Sequence, residues 1–361
     1  MPITTPIKTP RQLGYRMPAE WEPHESTWLA WPHLRGDWPG KFEPVPWVYA
    51  EIVRNLARHE RVNLIVNTQT AELRARAVLE QADALSDNVC FHHWRTDRVW
   101  VRDSGCIFLT PSVDRADARL LALHFQFTGW AKYPNYELDQ RIGGRMAQAA
   151  GARVVRPVSG DHRVVLEGGS IDVNGCGALL TTEECLLSTT QQRNPPMDRA
   201  AYEQLFADYL GVRSVIWLDS GIAGDDTHGH VDDITRFVAP NTVVTMVEQN
   251  ERSENYVALH ANLGRLKNAR TSDGHKLEIV EVPMPRPVVF EGRQLPASYA
   301  NFYIANGVVL VPVFNDPNDR IALNTLAELF PTREIVPVYC GDLIWGFGAL
   351  HCMTQPQPAN T

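Results

Sequence analysis

The chain has 361 residues, 44% hydrophobic and 21% charged, with 34 Lys+Arg against 42 Asp+Glu and a formal net charge of −8. A chain this long buries most of its apolar surface, so a stable core is expected, in one large domain or two. The acidic balance argues against a nucleic-acid partner, which needs clustered Lys and Arg; it suits a small cationic one, although an acidic surface is also simply a soluble one.

The opening stretch, "MPITTPIKTPRQLGYRMPAEW", has no apolar leader core, and no later stretch approaches the roughly 20 apolar residues of a membrane span. A cytoplasmic protein with no membrane partner is expected, in which thiols stay reduced. The six cysteines (Cys90, Cys106, Cys176, Cys185, Cys340 and Cys352) form no CxxC pair, so neither a structural zinc site nor a disulfide framework is expected. Most lie in strand-like runs such as "GCIFL" and "CLLS" and read as small core residues. Cys352 differs, because it follows the small-residue run "GFGALH". It reads as a spare thiol, a bridge partner, a ligand or a nucleophile.

Helical periodicity predicts helices at "VYAEIVRNLARHE", "TAELRARAVLEQADA" and "YELDQRIGGRMAQAAG", the last with Leu138, Ile142 and Met146 on one face. It predicts three more at "DRAAYEQLFADYLG", "NYVALHANLGRLKNA" and "DRIALNTLAELF". Between them lie β-rich runs: "RVNLIVNT", "GCIFLT", "LLALHFQF", "GALLTTEECLLS", "TVVTMVEQ" and "VVLVPVF". From residue 70 onward the helix starts recur with a period of about 60 residues, each holding several strands and one helix. Five such units make a solenoid in a line and a propeller in a circle; the sequence leaves both open and ranks a doubly wound sheet below them. "RNPPM" and "VPMPRPVV" are too short to be linkers, so a single domain over 1–361 is expected.

Three segments carry chemistry. "GDDTHGHVDDITRF" packs Asp225, Asp226, His228, His230, Asp232 and Asp233 around Gly229. In an extended chain His230 and Asp232 share a face, which makes a general acid–base unit. A metal site using His228, His230 and an Asp, or a polar turn with surface carboxylates, fits the same letters. "TDRVWVRDSGCIFL" offers Asp97, Trp100, Arg102 and Asp103 as an anionic clamp with an aromatic wall, or as turn residues. "VVLEGGSIDV" places Glu167 before two glycines, as a carboxylate brought close to a ligand or as a bulge. Together, a thiol, a His with a carboxylate and further acids describe nucleophilic attack on a guanidinium. Its planar fork of N–H donors matches paired carboxylates.

The order and wording of these segments resemble the agmatine deiminase and Porphyromonas-type peptidylarginine deiminase family. Its superfamily, the penteins, has a five-bladed α/β propeller built of pseudo-fivefold ββαβ-type repeats. "MPAEWEPHESTWLAWP", "VWVRDSG", "FTGWAKYPNYELD", "LEGGSIDVNGCGALLTTEECLLS", "RNP", "GHVDD", "SYANFYIANGVVLVP" and "ALHCMTQ" follow in the family order over nearly the whole chain. The resemblance implies Cys352 as nucleophile and His230 as general acid–base. It implies Asp103 and Asp232 as the guanidinium-gripping carboxylates, and Glu167 as an active-site acid. Trp100 resembles the aromatic wall, Asn301 lies in a segment near the family site, and Asp97 is a further candidate beside the substrate. No metal or cofactor is implied. The implied reaction is hydrolytic deimination through a Cys-bound amidino-thioether, first of agmatine, giving N-carbamoylputrescine and ammonia in a polyamine biosynthesis role. Arginine, peptidylarginine or another guanidino compound, an amidinotransferase, and a ligand-binding propeller without catalysis stand as alternatives; a homo-oligomer stays open.

Three departures bear on the substrate's tail. "GFGALHC" replaces the family's "GGGNIHC", "VRDSGC" lacks the usual proline after Gly, and "DTHGH" replaces Glu-Thr-Asn-Gly-His. Asp226 then occupies the acidic position that resembles the one meeting the far amine, with His228 in place of an amide. Spare negative charge from Asp225, Asp226 and Asp233 favours a second cationic end.

Overall fold

The computed structural model describes residues 8–112 and 119–359. Residues 1–7, part of the stretch read as lacking a leader core, lie outside the described residues. Among the described residues, no helix is long and apolar enough to cross a membrane.

The fold is mixed α/β, and one motif recurs five times: a strand, an antiparallel neighbour, a helix, and a strand returning parallel to that neighbour. Ile107–Pro111, Leu121–Leu123 and Arg153–Val155 form the first, with helix Ile142–Ala149 in the crossover. Asp172–Val173, Ala178–Thr182 and Ser214–Leu218 repeat it with helix Arg199–Leu210. Thr235–Ala239, Thr242–Val247 and Glu278–Pro283 follow with Tyr256–Asn268, then Tyr303–Ala305, Val308–Val313 and Glu334–Tyr339 with Asp319–Leu329. The fifth copy joins distant parts of the chain: Gln355–Pro358 runs antiparallel to His24–Ala30, which pairs parallel with Arg61–Val66 across helix Val45–Leu56. None of the described sheets closes on itself.

Local chemistry explains the helix boundaries. Thr68 caps Gln69–Gln81 by accepting from the Ala71 amide, and Asp198 caps Arg199–Leu210 by accepting from Ala201. The latter helix ends at Gly211, whose φ of 73° is the left-handed conformation that closes helices. Its buried face is Tyr202, Leu205, Phe206 and Leu210; the periodicity puts Tyr209 on that face instead of Leu210, but Tyr209 is only half-buried.

Two expectations shift. The 60-residue spacing takes the helix near residue 70 as first of its series, yet Val45–Leu56 holds that place; Gln69–Gln81 serves an added parallel strand, Val89–His93. Both helices are amphipathic, so periodicity cannot rank them. "CLLS" is not a strand either, since Cys185 sits in the short helix Glu183–Leu187, capped by the Thr182 hydroxyl.

Candidate active site

Each of the five motifs is preceded by a single helical turn: Val101–Ser104, Gly168–Ser170, Val231–Asp233, Tyr299–Asn301 and Leu350–Met353. Each turn touches the next, and the fifth touches the first. These turns and the residues flanking them carry Asp103, Glu167, His230, Asp232, Asn301 and Cys352, all buried. His230 precedes its turn, so His230 and Asp232 converge through a tight helical turn and not through an extended strand.

Cys352 lines a cavity of about 300 Å³. Its Sγ is 3.1 Å from Asn301 Nδ2 and 3.7 Å from Asp232 Oδ2. Asn301 also donates to Asp233 at 2.9 Å and accepts from the His351 amide at 2.9 Å, which ties the Cys352 turn to its neighbour. The His230 ring lies among three carboxylates without bonding any of them: 3.8 Å from Asp103, 3.9 Å from Glu167 and 4.0 Å from Asp232. Both its nitrogens, Glu167 Oε2 and Asp232 Oδ1 are buried with no partner among the described residues.

Four contacts that the sequence reading missed hold these groups. Trp130 Nε1 donates to Asp103 Oδ2 at 2.8 Å, and the Gly169 amide donates to Asp103 Oδ1 at 2.9 Å. Arg193 bonds Glu167 at 3.2 Å. His351 bridges Asp232 at 2.6 Å and Glu20 at 2.9 Å, and Glu20 is gripped by Arg102 at 2.7 Å and Arg236 at 2.8 Å. Trp130 is aimed by an unusual loop: Gly129, Trp130 and Ala131 take φ of 61°, 57° and 53°, three left-handed residues in succession. Such conformations cost about 1–3 kcal/mol each for non-glycine residues and persist where surroundings impose them.

The electrostatics follow from burial set against these partners. Burial, then the charges of Asp232, Asp233 and Asp103, push the Cys352 thiol well above its ordinary range. Burial opposes charge on His230, but Asp103 and the neighbouring Cys185 and Glu167 side chains outweigh it and raise the imidazole well above its ordinary value. Burial opposes ionising Glu167 too, yet the Arg193 charge brings it down to about 2. Asp232 ends below its ordinary value because the His351 contact overcomes burial. Asp233 goes the other way: burial, with Asp232 and Asp225 nearby, raises it well above the ordinary carboxylate range.

The remaining predicted residues divide. Trp100 lines the cavity, backed by Trp38 at 5.9 Å between ring centres. A Cβ on Gly348 would lie 2.6 Å from the Trp100 ring, and one on Gly346 would lie 2.8 Å from Trp38, so both glycines of "GFG" admit this wall. Between them Phe347 sits at φ 67°, on the cavity wall. Asp97 is not brought to the site. Its Oδ2 accepts from the Leu138 amide at 2.8 Å, a loop-fixing role. Asp225 is spent on its own loop, accepting from Thr227, Gly229 and His230 amides. Asp226 lines the cavity, but Lys132 and Tyr133 occupy its two oxygens and Arg293 adds a 3.3 Å contact. Of the three acids expected to supply spare negative charge, Asp226 alone lines the cavity, with both oxygens occupied. His228, in the left-handed region at φ 63°, turns to Ser188 and Glu184, away from His230. The donor groups close enough to share a metal are Glu167, Cys185 and His230, and Asp232, Asp233 and Cys352.

The model of the Porphyromonas-type peptidyl-arginine deiminase family matches residues 16–358. The chain is 35% identical, over 99% of both chains, to agmatine deiminase of Pseudomonas aeruginosa (strain LESB58). It is similar to an agmatine deiminase structure from Enterococcus faecalis, at 30% identity, TM-score 0.89 and 99% coverage of each chain. It is also similar to a C. jejuni agmatine deiminase solved with substrate bound, at 30% identity and TM-score 0.82, covering 95% of this chain and 96% of that one.

Proposed function

The chain belongs to the Porphyromonas-type peptidyl-arginine deiminase family, and from that membership and the site geometry we propose that it hydrolyses the guanidino group of agmatine to a ureido group, releasing ammonia. One observation carries the reading: a buried thiol, an imidazole and three carboxylates converge, with four of their polar atoms unpartnered, beside a cavity that Cys352 and Asp103 line. Each buried unpartnered polar atom costs about 1–3 kcal/mol, and a guanidinium's N–H donors answer the two unpartnered carboxylate oxygens.

The steps follow from the positions. Asp103, Asp232 and Glu167 hold the substrate cation, whose charge offsets the field that raises the Cys352 thiol; the thiol gives its proton to water as substrate binds. Sγ attacks the guanidinium carbon and forms a C–S bond. His230 gives its proton to the departing nitrogen, the C–N bond breaks, and ammonia leaves. A cationic amidino-thioether remains against Asp103 and Asp232. Neutral His230 then takes a proton from water, whose oxygen bonds to the same carbon. The C–S bond breaks, the intermediate's hydroxyl proton passes to the departing sulfur, and thiol and ureido product separate. Substrate, water and the chain's own side chains supply every atom and electron.

The same proposal includes a single domain over 1–361, arranged as a five-bladed propeller of ββαβ repeats and working in the cytoplasm. The unbroken circuit of five helical turns supports the circular arrangement over a line, as does the pairing of Gln355–Pro358 with His24–Ala30.

The test is ammonia and N-carbamoylputrescine release from agmatine by the purified protein, with Cys352→Ala inactive yet folded. Putrescine release, with the amidino group passed to an added acceptor amine and no ammonia freed, would make the protein an amidinotransferase.

A further inference from the structure

Accepting that the site deiminates guanidino compounds, what remains open is the other end of the substrate. Besides Asp103, the cavity is lined by two carboxylates, Asp37 and Asp226, with three cations, Arg98, Lys132 and Arg293, beside them. The two acids are in different states. Asp226 has a full complement of donors: Lys132 on one oxygen, Tyr133 on the other, and Arg293 at 3.3 Å. An incoming ammonium would have to expel Lys132, exchanging one primary ammonium for another with little gain. Asp37 is half-satisfied. Oδ1 is paired with Arg98, while Oδ2 is buried without a partner.

We infer that Asp37, and not Asp226, accepts the ammonium at the far end of the substrate. The side chain is 7% exposed and borders the same cavity as Cys352 and Asp103, so a ligand reaching both ends meets it already desolvated. Its neighbours fix its direction. Trp38, next in sequence, is anchored by a 2.8 Å bond from its indole to the Leu343 carbonyl and backs the Trp100 wall. Arg98 does not cancel the site, because its charge is divided: one amino group is on Asp37, the other is 3.1 Å from Asn135, and the guanidinium lies 4.2 Å over the Tyr133 ring. A carboxylate with one oxygen on a guanidinium and the other free can bridge to a second cation, as shared acceptors do. Asp226, on this reading, is a wall residue that holds Lys132, Tyr133 and Arg293 in place.

The experiment compares agmatine, butylguanidine and guanidinobutyrate, whose tails are cationic, neutral and anionic. For the wild-type protein, kcat/KM should favour agmatine over butylguanidine. In Asp37→Asn the agmatine-to-butylguanidine ratio should fall at least ten-fold, about 1.4 kcal/mol of tail recognition. Asp226→Asn should weaken both substrates together and leave the ratio in place. A ratio that collapses in Asp226→Asn and survives Asp37→Asn overturns the assignment. So does a wild-type protein with no preference for the ammonium tail, a result that needs no variant to fold. Absence of ammonia from every compound would instead sink the deimination reading itself.

Discussion

Adding one methyl group at Gly169 should disable the site while leaving most of the fold in place. A Cβ built there would lie 2.6 Å from His230 Nδ1, 2.9 Å from Asp232 Oδ2 and 3.0 Å from Asp103 Oδ1, all closer than carbon normally approaches. The three neighbours are the proposed acid–base group and the two carboxylates proposed to grip the guanidinium, and none can yield without leaving its position. The backbone cannot retreat either, because the Gly169 amide holds Asp103 at 2.9 Å. Overpacking of this kind costs about 1–3 kcal/mol of stability. A misplacement near 1 Å at reacting groups costs about a hundred-fold in rate. Gly169→Ala should therefore lower kcat for ammonia release by about two orders of magnitude. A denaturant titration should show a folded protein weakened by no more than about 3 kcal/mol. A kcat within two-fold of wild type would refute the packing argument, since the methyl would then have found space that these distances deny it.

Two further predictions separate charge from chemistry. Asp232→Asn removes a negative charge whose oxygen is 3.7 Å from the Cys352 sulfur. Unit charges near 4 Å at an effective dielectric of 20 interact by about 4 kcal/mol, so the thiolate fraction at neutral pH should rise ten-fold or more. Iodoacetamide should modify Cys352 faster in this variant even as deimination collapses; slower alkylation would contradict the assigned direction. Arg193→Met leaves Glu167 buried and charged without its partner, at a cost of about 3–5 kcal/mol in a denaturant titration. The pH dependence has a definite sign: Glu167 is depressed to about 2 in the folded state, so its contribution is complete above the ordinary carboxylate range. It is lost as pH falls toward that value. Acid unfolding of wild type and variant should converge there.

How much of this was legible in the letters depended on whether a residue's role is local. Cys352, His230, Asp232, Asp103 and Glu167 stand in or beside turns that precede apolar strands, so short motifs carry them to the site together. Trp130 and Arg193 act on those residues from loops elsewhere in the chain, 27 and 26 positions away. Glu20 reaches His351 across 331 positions, and no periodicity or spacing announces that contact. Asp97 misled because an Asp beside a tryptophan and an arginine looks the same whether it faces ligand or a backbone amide. The same blindness affected Asp226. Its charge was plain in the sequence, but its consumption by Lys132 and Tyr133 was not.

The pairing of Gln355–Pro358 with His24–Ala30 has a kinetic corollary. Cys352 lies immediately before that strand, so its thiol takes up its station only when segments more than three hundred residues apart zip together. Loop closure of that span is entropically the most expensive contact in the molecule and belongs late in assembly. During renaturation, tryptophan emission should recover ahead of turnover, and the interval between the two would time the final latch.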